Sequence, residues 1–341
     1  MPLHGENSVS SRLSILTFNW HEPYICLLAK TNHHFDVAEP LVRTLPRRWN
    51  EAVRPKPQNV RIVSVDEAQS ALANKKYDLV LCHNPQDIKA VARFGVPVIL
   101  LFHNKLATEL AIGGNSVKRN KYLADIKPLL ERADVLVFVS ESKRADWGFD
   151  DGVVIKHGVD PNDFYSYSGS ECKILRVGNL IRERNMMLGA DIQTEIARGF
   201  EISVIGNNQS IKNSKPAQSF ENLKSLYGSH RVYLNVTLAP YEDGYNLSML
   251  EAMATGAPVV SYGHPNTPIE DGVSGFCSFD VELLRDKINE LLQNETLALK
   301  TGERGKEMVL VEFSLSKFLE KWNGVFKKVA GRSINNKMEP A

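Results

Sequence analysis

Cysteine, net charge and long apolar runs are all scarce in these 341 residues. Cys26, Cys82, Cys172 and Cys277 are scattered, with no CxxC pair and no histidines at metal-ligand spacing, which argues against a disulfide framework or a zinc site. They read as buried thiols in a reducing compartment. A formal net charge of +1 lacks the basic excess of a dedicated nucleic-acid binder. No run of ~18 apolar residues occurs, and Met1 to Ser11 are polar, without the apolar stretch of a secretory signal. A cytoplasmic protein is the expectation. No Asp-x-Asp metal motif follows a strand, no solenoid repeat is present, and the first strand-to-helix turn, Asn19-Trp20-His21-Glu22-Pro23, has no glycine.

What is present is α/β alternation. A 43% hydrophobic share over this length can bury two cores of ordinary size. Leu13–Phe18, His34–Ala38, Arg61–Ser64, Tyr77–Cys82, Val96–Phe102, Asp134–Val139 and Gly152–Ile155 read as the strands of a mostly parallel first sheet. The Asn, Asp, Ser and Gly content of Pro161 to Cys172 marks a linker. Lys173–Gly178, Phe200–Ile205, Arg231–Thr237 and Pro258–Tyr262 read as a second series, with helices at Met186–Arg198, near Phe220–Tyr227, and at an acidic motif. Ser316–Val329 is an amphipathic helix, and the residues from Gly331 onward have little to bury.

The acidic motif is the most informative stretch: Asp243-Gly244-Tyr245-Asn246-Leu247-Ser248-Met249-Leu250-Glu251, running into Ala252-Met-Ala-Thr-Gly256. Its strand, loop, helix order puts the loop at the carboxyl end of a strand, where α/β sheets bind ligands. A helix starting near Asn246 aims free N–H groups and its positive dipole end at whatever lies over Gly244 and Tyr245, which suits a phosphate. Glu251 lies ~8 Å further along the helix, so the two carboxylates can hold different parts of one nucleotide sugar.

This segment resembles the acid-x7-acid signature of the retaining glycosyltransferases of family four (group 1), which have the GT-B fold: two Rossmann-like domains facing across a cleft. The family usually opens the signature with Glu, where this chain has Asp243. The resemblance implies residues 1–160 as an acceptor-side domain, 161–172 as linker, 173–313 as a nucleotide-sugar domain, 314–330 as a helix crossing back to the first domain, and 331–341 as a loose tail. It also implies a metal-independent transfer from a nucleotide-diphosphate sugar to an acceptor hydroxyl. The donor is a substrate and no cofactor is called for.

The remaining constellations fit around that reading. Arg176-Val-Gly178-Asn179-Leu180-Ile-Arg182-Glu-Arg184 follows a strand and offers amides and cations to a departing diphosphate. The family pattern has an Arg where Asn179 stands, and Arg184 takes the place of its Lys. His83 and His103 end successive strands; the resemblance puts His103 beside the reacting carbon with Asp243, and Glu251 on the ribose. Asn19, Trp20, His21 and His83 are candidates for the acceptor or donor pocket, as are Asn266 and Thr267. Arg43, Arg47, Arg48, Arg54, Lys56 and Arg61 form a basic run against Glu51 alone, extended by Lys118, Arg119, Lys121 and Lys127. Either it is solvated, or it meets an anionic acceptor or the inner membrane face. The acceptor classes the family suggests are a glycan, a lipid-linked glycan or a lipopolysaccharide. Two alternatives stay open: a sugar-nucleotide epimerase, and a noncatalytic nucleotide-sugar or partner-binding module that kept the fold.

Overall fold

The structure is a computed structural model that describes residues 12–39, 48–112 and 118–336. Arg43, Arg47, Met1 to Ser11 and the end of the expected tail lie outside these residues. Short apolar runs between turn residues are stable as parallel strands only when both faces are covered, and both sheets obey this. β1 (Ser14–Phe18), β2 (His34–Ala38), β3 (Val60–Val63), β4 (Leu79–Cys82), β5 (Val98–Phe102), β6 (Val135–Phe138) and β7 (Val153–Val154) form one parallel sheet in the order β3-β2-β1-β4-β5-β6-β7. β8 (Glu171–Val177), β9 (Ile202–Ile205), β10 (His230–Asn235), β11 (Val259–Tyr262) and β12 (Phe276–Ser278) form another, in the order β12-β11-β10-β8-β9. Each order reverses once, between β1 and β4 and between β8 and β10. At such points the connections leave in opposite directions and open a crevice beyond the carboxyl ends of the strands.

The long helix Leu315–Asn336 belongs to the first core although it is the last element among the described residues. Phe318, Trp322, Phe326 and Val329 pack with Ile15, Leu81, Ile99 and Leu101 of the first sheet. Trp322 is fully buried, and its Nε1–H donates to the Tyr24 hydroxyl at 3.2 Å. Lys30, at the end of the helix Glu22–Ala29, pairs with Asp160 at 2.6 Å and Asp163 at 3.0 Å, which fixes the connection between the sheets.

Three features depart from the sequence reading. The single helix expected over Met186–Arg198 is two, Asn185–Leu188 and Ala190–Ile196, because Gly189 has φ 57° and an added Cβ would meet Val236 at 2.4 Å. The strand β12 is too short to show a period. The last helix runs past Gly331, where the tail was expected to begin. Among the described residues no helix is long and apolar enough to cross a membrane.

Trp322→Ala is expected to lower stability by about 3–5 kcal/mol, read from the denaturant midpoint. An unchanged midpoint would show that the helix is dispensable to the first core.

Candidate functional site

The site begins with Asn246, which caps the helix Leu247–Thr255 by accepting from Met249 N–H at 2.9 Å. Gly256 closes the helix at its other end in the left-handed conformation. In front of the cap, Gly244 lets the loop pass close to its neighbour: an added Cβ would lie 2.6 Å from the Thr267 nitrogen. Gly244 N–H donates to Asn266 Oδ1 at 2.8 Å, and Asn266 Nδ2 donates to Asp243 Oδ1 at 2.8 Å. Asn266 therefore sets both the loop and its carboxylate.

Asp243 is 1% exposed, and the first half of the chain supplies most of its partners. Ser140 caps the helix Glu141–Trp147 beyond β6, and its hydroxyl donates to Asp243 Oδ2 at 2.7 Å. Lys143, in the first turn of that helix, donates to Asp243 Oδ2 at 2.9 Å and to Glu242 Oε1 at 2.6 Å. Lys105, beyond β5, lies 3.7 Å from Asp243 Oδ1. Burial raises the Asp243 pKa, but Lys143, Ser140 and Asn266 outweigh it and hold the carboxyl well below the usual carboxylate range. Lys143 is raised in turn: burial opposes its charge, and Glu242 and Asp243 overcome that.

A histidine cluster adjoins this clamp. His103, at the end of β5, lies edge to edge with His83, the ring centroids 5.1 Å apart and the planes 9° from parallel; it stacks with His21 at 5.9 Å and meets the Tyr24 ring at right angles at 4.8 Å. Tyr24 also meets His157 at 5.6 Å. Burial, then His83, His21, His157 and Lys143, keep His103 neutral by pushing its pKa well down. Burial and Lys143 push His157 down to about 4 against the pull of Asp243. Lys143 and Asp243 thus share one electrostatic environment with the rings at the strand ends of the first sheet.

Glu251 has a setting that its sequence did not indicate. Its Oε1 accepts from Arg54 Nη2 and its Oε2 from the Tyr227 hydroxyl at 3.0 Å. The Arg54 guanidinium lies 4.0 Å over the Phe220 ring. A cavity of about 310 Å³ opens beside this pair, lined by Pro23, Lys30, Phe164 and Leu247 among others. Of the basic run, then, Arg54 is a buried cross-chain partner, Arg61 bonds Asp36 at 2.9 Å, and Lys56 donates to the Val60 carbonyl at 3.0 Å. The described part of the run does not form one patch.

The other candidates divide. Arg184 is half-buried; burial lowers its pKa and Glu242 opposes the shift. Arg182 is exposed on the same turn. Asn179, where the family pattern has Arg, accepts from Asn207 N–H at 2.7 Å, a structural duty. The Tyr245 ring is buried and packs against Phe313 at 5.0 Å, which leaves its backbone amide for the ligand-binding part expected of this loop. His21 caps the helix Glu22–Ala29. Trp20 Nε1–H donates to Asp87 at 2.9 Å. Lys105 and Lys143, and the pairing of Arg54 with Glu251, escape sequence reasoning, since nothing in their local sequence marks a partner this distant. Among the described residues no group of three or more His, Cys, Asp or Glu is placed to hold a metal ion.

Comparison with known proteins comes from both halves. Residues 171–294 match the family "Glycosyl transferases group 1", and residues 21–163 match "Glycosyltransferase Family 4". A poly(ribitol-phosphate) alpha-N-acetylglucosaminyltransferase of Staphylococcus aureus is 36% identical over 99 residues, 27% of this chain and 20% of that protein. A trehalose synthase of Pyrococcus horikoshii is 29% identical over 91 residues, 26% of this chain and 22% of that protein. The matched stretches span about a fifth of these relatives' length. Among solved structures, Anabaena Alr3699/HepE with UDP and glucose aligns at TM-score 0.70 and 14% identity, over 93% of this chain and 100% of that one. AviGT4, a glycosyltransferase involved in avilamycin A biosynthesis, aligns at 0.61 and 15%, over 94% and 98%. The fold is GT-B.

Lys143→Met leaves Asp243 buried without its closest cation and is expected to cost about 3–5 kcal/mol, read by denaturant titration; a loss under about 1 kcal/mol would mean that Lys105 and Ser140 suffice. His157 gives a pH signature. Its folded pKa of about 4 lies below the ordinary ~6.5, so between these values the unfolded chain binds more protons and stability falls as pH falls, by at most about 1.4 kcal/mol per unit. Relative to His157→Asn, the wild type should lose stability over that window and no further below it. Parallel pH curves for the two proteins would refute the assignment.

Proposed function

Because the chain belongs to the group 1, family 4 glycosyltransferases, we propose that it moves a sugar from a nucleotide-diphosphate sugar to an acceptor hydroxyl with retention of configuration. The observation that carries this reading is Asp243: an ionised carboxylate, 1% exposed, beyond the switch point of the second sheet and clasped by Ser140 and Lys143 of the first half. Such a fixed negative charge stabilises the oxocarbenium-like sugar that glycosyl transfer shares with glycoside hydrolysis. In this reading the neutral ring of His103 serves the same sugar from the other side by accepting from a hydroxyl.

The departing diphosphate goes to Arg184, with Arg182 as a second cation on the same turn. Backbone amides from Gly244 through Tyr245 and Asn246 to Leu247, at the start of the helix, add to that charge neutralisation. Glu251 takes the ribose, so the donor's hydroxyls must displace or share the bond that Arg54 makes with it. Asn19, Trp20, His21 and His83 shape the wall around the transferred sugar. No divalent metal takes part in this scheme. A phosphate-bearing acceptor is favoured by the poly(ribitol-phosphate) named for the Staphylococcus relative.

The test is a thermal-shift panel of UDP, GDP, ADP and TDP sugars, followed by donor hydrolysis and transfer assays with and without EDTA. A donor at a hundred times its Kd should stabilise the fold by about 2.7 kcal/mol. Asp243→Asn and His103→Ala should each lower turnover by about a hundredfold or more, and EDTA should leave it unchanged. Normal turnover in both variants would overturn the site assignment. Binding without hydrolysis or transfer to any acceptor would make the protein a binding module.

A further inference from the structure

The histidines at the ends of β4 and β5 are joined to β1 by a directed chain of hydrogen bonds. Register places Thr17 beside Leu81, and Cys82, the residue before His83, beside Leu100. Thr17 is fully buried, and its Oγ1 lies 3.0 Å from the Leu81 carbonyl oxygen and 2.8 Å from His83 Nε2. His83 Nδ1 lies 2.8 Å from His103 Nε2, with the two rings 9° from coplanar.

The protons in this chain can be assigned. A carbonyl oxygen only accepts, so the single hydroxyl proton of Thr17 points at Leu81. The opposite arrangement would set two oxygen lone pairs against each other at 3.0 Å in a buried site. With its proton used, Thr17 Oγ1 can only accept from His83, which makes Nε2 the protonated nitrogen of that ring. A neutral imidazole carries one N–H, so His83 Nδ1 is an acceptor, and the proton between the two rings belongs to His103 Nε2. His103 Nδ1 is then left with a lone pair. Burial of His103 supports the neutral state on which this count depends.

We propose that Thr17 and His83 are positioning residues that lock His103 as its Nε2–H tautomer, so that it offers the reacting groups a lone pair on Nδ1 and never an N–H. The proposal rests on the placement of His103 at the transferred sugar, and it deepens that reading. It means that the hydroxyl bonded by His103 must be a donor in that bond, and that a ligand presenting only an acceptor oxygen there is rejected. Neither Thr17 nor His83 needs to touch the ligand for this.

The test compares Thr17→Val, which keeps the shape and removes the hydroxyl, with Thr17→Ser, which restores it. Long-range proton–nitrogen NMR of nitrogen-15-labelled wild type should show His103 protonated on Nε2 and bare on Nδ1. Thr17→Val should give mixed tautomers and a kcat at least about tenfold lower, with the donor KM within about twofold of wild type. Thr17→Ser should recover both. A wild-type spectrum with His103 protonated on Nδ1, an unchanged spectrum in Thr17→Val, or failure of Ser to rescue would overturn the lock. The wild-type spectrum decides the matter alone if Thr17→Val does not fold. A locked tautomer in a protein that transfers no sugar would sink the proposed function and leave the lock standing.

Discussion

A carboxylate buried as deeply as Asp243 stays ionised only where cations and hydroxyls replace the water it has lost, and here the other half of the chain provides them. Ser140, Lys143 and Lys105 all belong to the first sheet's side of the crevice, while Asp243 belongs to the second. Arg54 and Glu251 repeat the arrangement on the helix Leu247–Thr255. Both acids of the motif are therefore complete only when the halves lie together. Thr108, whose hydroxyl donates to the Tyr241 carbonyl, adds a neutral bond across the same seam.

The two sheets meet this demand because of their topology. Beyond their reversal points, the segments after β5 and β6 meet the loop after β10 through Lys105, Thr108, Ser140 and Lys143. Arg176 holds the second set of loops in place from below: it is 1% exposed and donates to the Val236 carbonyl at 2.9 Å and to the side chain of Gln193 at 3.2 Å. Burial lowers its pKa, and carbonyls, rather than an acid, take most of its protons.

Much of this was legible in the sequence wherever the signal is local. Strand runs, the Asn246 cap, Gly256 and the spacing from Asp243 to Glu251 each follow from a few adjacent residues. The partners of the acids were not legible, because Lys143 lies 100 residues from Asp243 and Arg54 lies 197 from Glu251, and no periodicity carries such a pairing. Arg54 read as one cation among several on a loop. The break at Gly189 was not legible either, because it follows from the approach of Val236, 47 residues further along the sequence. The core packing of the Tyr245 ring against Phe313 was likewise not legible, because the two lie far apart in the sequence.

The returning helix bears on how the polypeptide is made. A nascent chain leaves the ribosome from its amino end, so β1 to β7 emerge well before Trp322, Phe326 and Val329 that complete their core. During that interval Ile15, Leu81 and Ile99 lack their final cover. The first half must therefore wait, partly unsealed, until translation has passed this helix, and a premature stop upstream of Leu315 would release it with that apolar face bare.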